Sequence, residues 1–339
     1  MQWPGDPGAV ARREVAGRPS RRLAADLAAL DQRWSCAQPR EEIRREGARD
    51  TAADDGDARP VTRLGHDGDI FRGDRRRARP NHSAGDYWSS VVESRLPAGG
   101  RLWRAHSDRV NGALLARWLP PLDGRRVLKT DLFDEAVGVG LYPALAPGDR
   151  VVGIDVSPAV VAAARRRYPE LEAVVADVRR LPFGDGEFDV CVSISTLDHF
   201  ESADGLRAGM AELARVLAPG GRLIVTLDNG QNPVVALRNR LPLGLLRRVG
   251  AVPYFVGETC GPRGLRGVLA EAGFAVEKET VVLHCPRAPA VLAASLVERR
   301  AGERGRERYL GFVGGFERLG RAPTRSLTGY FVAAKATRR

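Results

Sequence analysis

Lysine is almost absent from this chain of 339 residues. Lys129, Lys278 and Lys335 are the only three, and arginine supplies the rest of the 53 basic residues. Cysteine is also scarce: Cys36, Cys191, Cys260 and Cys285 lie far apart and form no C-x-x-C pair. That spacing excludes a zinc knuckle, a thioredoxin-like site and a disulfide framework, so reduced thiols and no metal are expected. No run of about 18 apolar residues occurs, which argues against a transmembrane helix. No apolar core of a signal peptide stands at the N-terminus, so a cytoplasmic location is expected. The net charge is +11, but the arginines are spread along the chain among 42 acidic residues. Such mixing reads as a solvated basic surface, and no nucleic-acid partner is expected.

The chain changes character near residue 85. Residues 1–84 are rich in Arg, Asp, Gly, Pro and Ala, with stretches such as Asp54-Asp55-Gly56-Asp57 and Arg75-Arg76-Arg77. A segment of this composition buries too little apolar surface to offset its ordering entropy and is expected to be mostly unstructured. Ser20 to Trp34 is the exception, since Leu23, Leu27, Leu30 and Trp34 share one helical face. From 85 to 339 the pattern is globular. It divides into a core at 124–230, an insert at 231–262 and further strands and helices at 263–339.

Within that region short apolar runs alternate with helical stretches. Strands are expected at Arg126–Lys129, Val151–Asp155, Ala173–Val175, Phe188–Ile194, Arg222–Leu227, Phe274–Leu283 and Leu327–Ala336. Helices are expected at Tyr87–Leu96, Leu102–Leu119, Pro158–Arg167, Gly205–Leu217, Gly264–Ala272, Ala290–Arg300 and Arg308–Leu319. Alternation of this kind predicts an α/β fold with a doubly wound, mostly parallel sheet. The strands are almost continuously Val, Ile and Leu, as in strands covered on both faces.

Ligands of such sheets sit beyond the C-terminal ends of the strands. After the second strand stands Asp155, followed by Val156, and a carboxylate there suits the two hydroxyls of a ribose. After the third stand Asp177 and Val178, where a carboxylate suits an exocyclic adenine amine. After the fourth come Ser195, Asp198 and His199, and after the fifth Asp228, Asn229 and Asn232.

Four segments carry a family resemblance: V-V-G-I-D-V-S-P (151–158), A-D-V-R-R-L-P-F (176–183), F-D-V-C-V-S (188–193) and L-A-R-V-L-A-P-G-G-R-L (213–223). Together they resemble the class I S-adenosylmethionine-dependent methyltransferases, nearest in style to the ubiquinone/menaquinone branch. The resemblance implies a Rossmann-like, seven-stranded sheet whose antiparallel last strand inserts beside the fifth. It also implies S-adenosylmethionine as cofactor and methyl transfer to a small-molecule acceptor.

One motif departs from the family. Where a Gly-x-Gly-x-Gly turn follows the first strand, this chain reads V-L-K-T-D-L-F-D-E-A-V-G-V-G (127–140), with Asp131, Phe133 and Glu135 at the glycine positions. Three readings stand side by side. Asp131, Asp134 or Glu135 hold the cationic ends of the cofactor; they favour a helix N-terminus, where acidic side chains are stabilised; or the pocket is lost and the domain is a non-catalytic binding module. The missing glycines also count against a nicotinamide dehydrogenase, which needs them around a pyrophosphate.

His199 is the candidate base, because an imidazole titrates near neutral pH. Asp198, Asp228 and Asn229 are candidate acceptor-side groups. Pro233 to Gly250, apolar with Arg238, Arg240, Arg247 and Arg248 interleaved, is expected to cover the site, with weak membrane-surface contact as a further role. Trp103 and His106 are placed over the cofactor by position alone. The S-T-L-D-H-F stretch after strand four lacks the N/D-P-P-Y/F motif of nucleic-acid nitrogen methylation.

Overall fold

The computed structural model describes residues 84–93, 100–119, 124–145, 149–200, 202–241, 257 and 259–339. The expected helix at 20–34, the rest of residues 1–83 and residues 242–256 and 258 of the insert lie outside them. Seven strands form one sheet: β1 (Arg126–Lys129), β2 (Arg150–Asp155), β3 (Glu172–Val175), β4 (Phe188–Ile194), β5 (Leu217–Asp228), β6 (Phe274–Val282) and β7 (Phe331–Arg338). Their order is β3-β2-β1-β4-β5-β7-β6. Neighbours from β3 to β5 are parallel, and β7 runs antiparallel between β5 and β6. This is the doubly wound, seven-stranded sheet expected, with the last strand inserted beside the fifth.

Successive side chains of a strand face opposite sides, and the two sides bury separate cores. On one side Leu128, Ile154, Cys191 and Val225 meet helices α6 (Ala203–Val216) and α8 (Pro262–Glu271) through Met210, Leu213 and Leu265. On the other Val127, Val151, Val192 and Ile224 meet α2 (Gly100–Trp118) and α5 (Pro158–Arg167) through Leu114, Leu115, Val160 and Val161. Helix starts follow local chemistry. The Ser157 hydroxyl accepts the Val160 amide ahead of Pro158, and Asn232 accepts the Val234 and Val235 amides ahead of Pro233, opening α7 (Pro233–Arg240).

Some boundaries move. The expected last strand began at Leu327, but Arg325–Thr328 is a short helix, α11, and pairing starts at Phe331. The expected helix from Arg308 begins earlier, as α10 (Glu303–Gly314), and passes into a 3₁₀ segment at Gly315–Arg321. Pro219-Gly220-Gly221 lies inside the extended run of β5, where Gly220 adopts φ 73° and the register with β4 shifts. Helix α1 covers Ala84–Glu93 and α9 covers Arg287–Arg300. Two short helices follow β1, α3 (Phe133–Val137) and α4 (Tyr142–Leu145).

The glycine-poor stretch after β1 has its own packing logic. Lys129 ends β1 fully inside the fold and pairs with Glu135 at 2.9 Å. Glu135 also accepts the Leu141 and Tyr142 amides at 2.8 and 3.0 Å. Gly140 closes this wrap at φ 66°, and a Cβ there would lie 2.5 Å from the Glu135 carboxyl carbon. Leu132 is fully buried and fills the space over Gly153 of β2. A Cβ on Gly153 would lie 2.5 Å from Leu132 Cδ2. Gly153→Ala is therefore expected to cost about 1–3 kcal/mol through overpacking, measured as a lower Tm; an unchanged Tm would show that Leu132 moves freely.

Candidate active site

The order in which successive strands are added reverses between the parallel neighbours β1 and β4, and the crevice of such a sheet opens at the C-terminal ends of the strands at that point. A hydroxyl chain bridges it. Thr130 Oγ1 lies 3.0 Å from Ser193 Oγ and 2.9 Å from Thr196 Oγ1, tying the end of β1 to the end of β4. Sequence reading missed Thr130, because a lone threonine after a strand carries no pattern.

On the β1–β2 side, Asp155 is buried. One oxygen accepts the Ser157 amide at 2.9 Å and the other the Leu132 amide at 3.2 Å. Each oxygen therefore keeps further acceptor capacity. Asp131 lies close enough to repel it. Burial, and then Asp131, push the Asp155 carboxyl up to about 7. Asp131 itself accepts the Phe133 amide at 2.6 Å, an Asx turn that opens α3, and its carboxyl is also raised, chiefly by burial. Asp134 is held by the Arg104 guanidinium, which also lies 4.6 Å over the Phe133 ring. Burial opposes the charge on Lys129, but Glu135 and Asp131 outweigh it and hold the ammonium protonated. Of the three carboxylates after β1, Glu135 is thus committed to the fold and Asp134 to Arg104, which leaves Asp131 facing Asp155. Asp108 of α2 accepts the Gly140 amide at 3.3 Å and is pushed up to about 7 by burial and by Asp134.

Val156 follows Asp155 half-buried, and Ser157 is tied to Ser89 of α1 by a 2.7 Å hydroxyl contact. Asp177, after β3, is forked by Arg179 at 3.0, 3.1 and 2.5 Å. Val178 turns its side chain into the core. Trp103 packs in the seam between α2 and α9, with the Arg287 guanidinium over its ring and His106 edge-on.

On the β4–β5 side, Ser195 stands at φ 51°, a strained value for a residue with a side chain. Its amide is held by Thr226 Oγ1 at 2.9 Å, and its hydroxyl donates to Asp198 Oδ2 at 3.0 Å. Asp198 is 1% exposed and also accepts the Asp228 amide at 3.1 Å. Its Oδ1 makes no hydrogen bond and lies 3.9 Å from His199 Nε2. Burial pushes the Asp198 carboxyl up to about 6, against the opposing pull of His199. The His199 ring stands edge-to-face with Trp88 of α1 at 4.9 Å, and Trp88 in turn meets Phe133 at 5.8 Å. Asp228 pairs with Arg238 of α7 at 2.6 Å, both largely buried. Asn229 is buried with its amide wholly engaged: Nδ2 donates to the Ser326 and Gly329 carbonyls, and Oδ1 accepts the Gln231 amide. Asn232 clamps the same turn through the Thr328 and Gly329 carbonyls.

A family model described as a methyltransferase domain matches residues 133–225. The demethylmenaquinone methyltransferase of Thermus thermophilus is 32% identical over 176 residues, which cover 44% of this chain and 76% of that protein. The chain belongs to the class I S-adenosylmethionine-dependent methyltransferases. The demethylmenaquinone methyltransferase of Beutenbergia cavernae is 39% identical over 127 residues, 37% of this chain and 46% of that protein. The match thus spans about half the length of one relative and three quarters of the other. A solved S-adenosylmethionine-dependent methyltransferase from Mesorhizobium loti aligns at 19% identity and a TM-score of 0.44, over 67% of this chain and 96% of that one.

The donor set at the ends of β1 and β2 fits the family's cofactor. S-adenosylmethionine carries a ribose diol and two positive groups and has no phosphate. Asp155 offers two carboxylate oxygens to hydroxyl donors, and Asp131 beside it leaves a local excess of negative charge that a cation relieves. Asp155, Asp131 and the backbone around Val156 would hold it, and it supplies an electrophilic methyl group. A pH dependence follows. In the free protein Asp155 binds a proton below about 7, whereas the ribose and the cationic groups favour its ionised form. Affinity should therefore fall as pH falls, by about tenfold between pH 8 and pH 6. Calorimetry at the two values checks this, with proton release seen as buffer-dependent heat; pH-independent affinity would contradict it.

Proposed function

We propose that this chain transfers a methyl group from S-adenosylmethionine to a small, hydrophobic, ring-bearing acceptor with an ionisable hydroxyl, the class to which a demethylated quinol belongs. The observation that carries the reading is His199 at the end of β4, between the buried Asp198 carboxyl and the Trp88 ring. The names of the two curated relatives support the acceptor class. Trp88, half-buried and edge-to-face with His199, would give the acceptor side an aromatic wall suited to a flat ring.

Methyl transfer from a sulfonium is an in-line displacement, so alignment and a water-poor pocket supply most of the acceleration. His199 accepts the acceptor's hydroxyl proton as the new bond forms. Loss of that proton sends charge to the oxygen and to the ring carbons. Methylation at oxygen is then complete, whereas at carbon the hydrogen of the methylated carbon leaves as a proton and the oxygen takes one back, which restores the aromatic hydroxyl. Asp198, fixed by Ser195 and by the Asp228 amide, stands beside the ring and orients it for that transfer. Arg238 neutralises Asp228, so the acceptor does not meet a second bare carboxylate at the end of β5.

The test is incubation of the full chain with methyl-labelled S-adenosylmethionine and a reduced demethylmenaquinone analogue, read by label transfer and mass. Gain of one methyl group is expected. A chain that binds the cofactor but leaves the quinol unmethylated would contradict the acceptor class alone.

A further inference from the structure

The connection from β6 to β7 takes no part in the chemistry above. Residues 287–328 contain nine arginines and four glutamates, with neither lysine nor aspartate. Glu298 and Glu317 are taken up within the fold, whereas Glu303 and Glu307 of α10 stay exposed. Glu317 accepts the Leu283 and His284 amides, Glu298 accepts the Leu102 amide, and Glu307 pairs with Arg109 of α2 at 2.8 Å. Arginine therefore dominates the outer surface.

Helix α10 separates two faces. Tyr309, Leu310 and Val313 are buried against α9 and α2. Arg304, Arg308 and Phe312, four residues apart and so aligned along the helix, are all exposed, Phe312 to 69%. Phe316 backs Phe312 edge-on at 5.7 Å. The 3₁₀ segment continues with exposed Arg318, Leu319 and Arg321, and α11 with Arg325 and Leu327, the last 52% exposed. Exposed aromatic and leucine side chains set among arginines that outnumber the exposed glutamates Glu303 and Glu307 match an anionic lipid interface, where the apolar groups enter and the guanidinium groups meet phosphates. Leucine offers RNA neither a stacking face nor a hydrogen bond, so the pattern favours lipid over nucleic acid.

Position strengthens the argument. Strand β7 begins opposite Asp228 and Val282, so the whole insert leaves and returns at the sheet edge that carries the active site. Asn229 and Asn232, directly after β5, hold the carbonyls of Ser326, Thr328 and Gly329. The exposed Leu327 is thereby anchored to the acceptor side of the site.

We propose that the outer face of the β6–β7 insert, centred on Phe312, Leu327 and the exposed arginines of α10 and the 3₁₀ segment, docks this protein on an anionic membrane surface. The inference goes beyond the proposed reaction and stands whatever the acceptor is. It is tested by flotation of the full chain with phosphatidylcholine vesicles with and without phosphatidylglycerol. Binding to the anionic vesicles, reduced by salt, is expected. Phe312→Ser with Leu327→Ser, and separately Arg304→Glu with Arg308→Glu, should each weaken it about tenfold or more. Tm and S-adenosylmethionine affinity should not change. Full vesicle binding by both double variants would overturn the proposal. So would a wild type that retards single-stranded RNA and ignores the vesicles.

Discussion

Asp155→Ala is expected to weaken S-adenosylmethionine binding by at least about a hundredfold, since two hydrogen bonds to a carboxylate contribute about 1.5–3 kcal/mol each. The carboxylate stands at the end of β2 with both oxygens already fixed by the Leu132 and Ser157 amides. It is therefore preorganised, and a diol entering the crevice orders nothing further. Alanine also leaves those two amides without their acceptor, so some stability is lost with it. Asp155→Asn separates the effects. The amide oxygen keeps one backbone partner, but the charge is gone, so a Tm lowered less than in Asp155→Ala with affinity still reduced at least about tenfold is the expected signature. Calorimetry and thermal denaturation of both variants read it. Unchanged affinity in Asp155→Ala would place the cofactor elsewhere.

His199→Ala should lower kcat by about 10²–10⁴-fold, the usual range for removing a positioned base, with S-adenosylmethionine affinity unchanged. The ring lies on the β4 side of the crevice, across the Thr130–Ser193 bridge from Asp155, so loss of proton transfer should not reach the cofactor. Asp198→Asn tests its support. Asparagine fills the same buried space, but the neighbour of His199 Nε2 becomes neutral. The carboxyl that burial pushes up to about 6 is then gone, so the acid limb of the pH–rate profile should lose an ionisation near 6 while KM for the cofactor stays put. A uniform loss of kcat at every pH would show that Asp198 is structural only.

The sheet was legible because its strands are dense in Val, Ile and Leu and end in Asp155, Asp177, Ser195 and Asp228. Each of those residues sits where a parallel sheet presents ligands. The stretch after β1 was legible as an anomaly but not as a structure. Lys129 and Glu135 are six residues apart across a loop, a spacing that no helical or strand period brings together, so their buried pairing emerges only in three dimensions. The same holds for Arg104 on Asp134. Gly138 and Gly140 come too late in the chain to stand for the missing glycines, and Gly140 lets the chain wrap Glu135. Asn229 and Asn232 read as acceptor-side groups or a turn. They clamp a segment about a hundred residues further along the chain, which local pattern cannot foresee. Ser195 gave no sign of its positive φ, since that conformation is imposed by Thr226 and Asp198.

The central claim is that a glycine-poor, carboxylate-rich crevice still takes the family's cationic cofactor. Titration calorimetry of the full chain at pH 8 with S-adenosylmethionine, and then with the neutral thioether S-adenosylhomocysteine, tests it most directly. The account predicts that both bind and that the sulfonium form binds more tightly, because Asp131 and Asp155 present a negative field to it. No binding of either by a folded chain would contradict the account, and the filled turn over Gly153 would then mark a closed pocket.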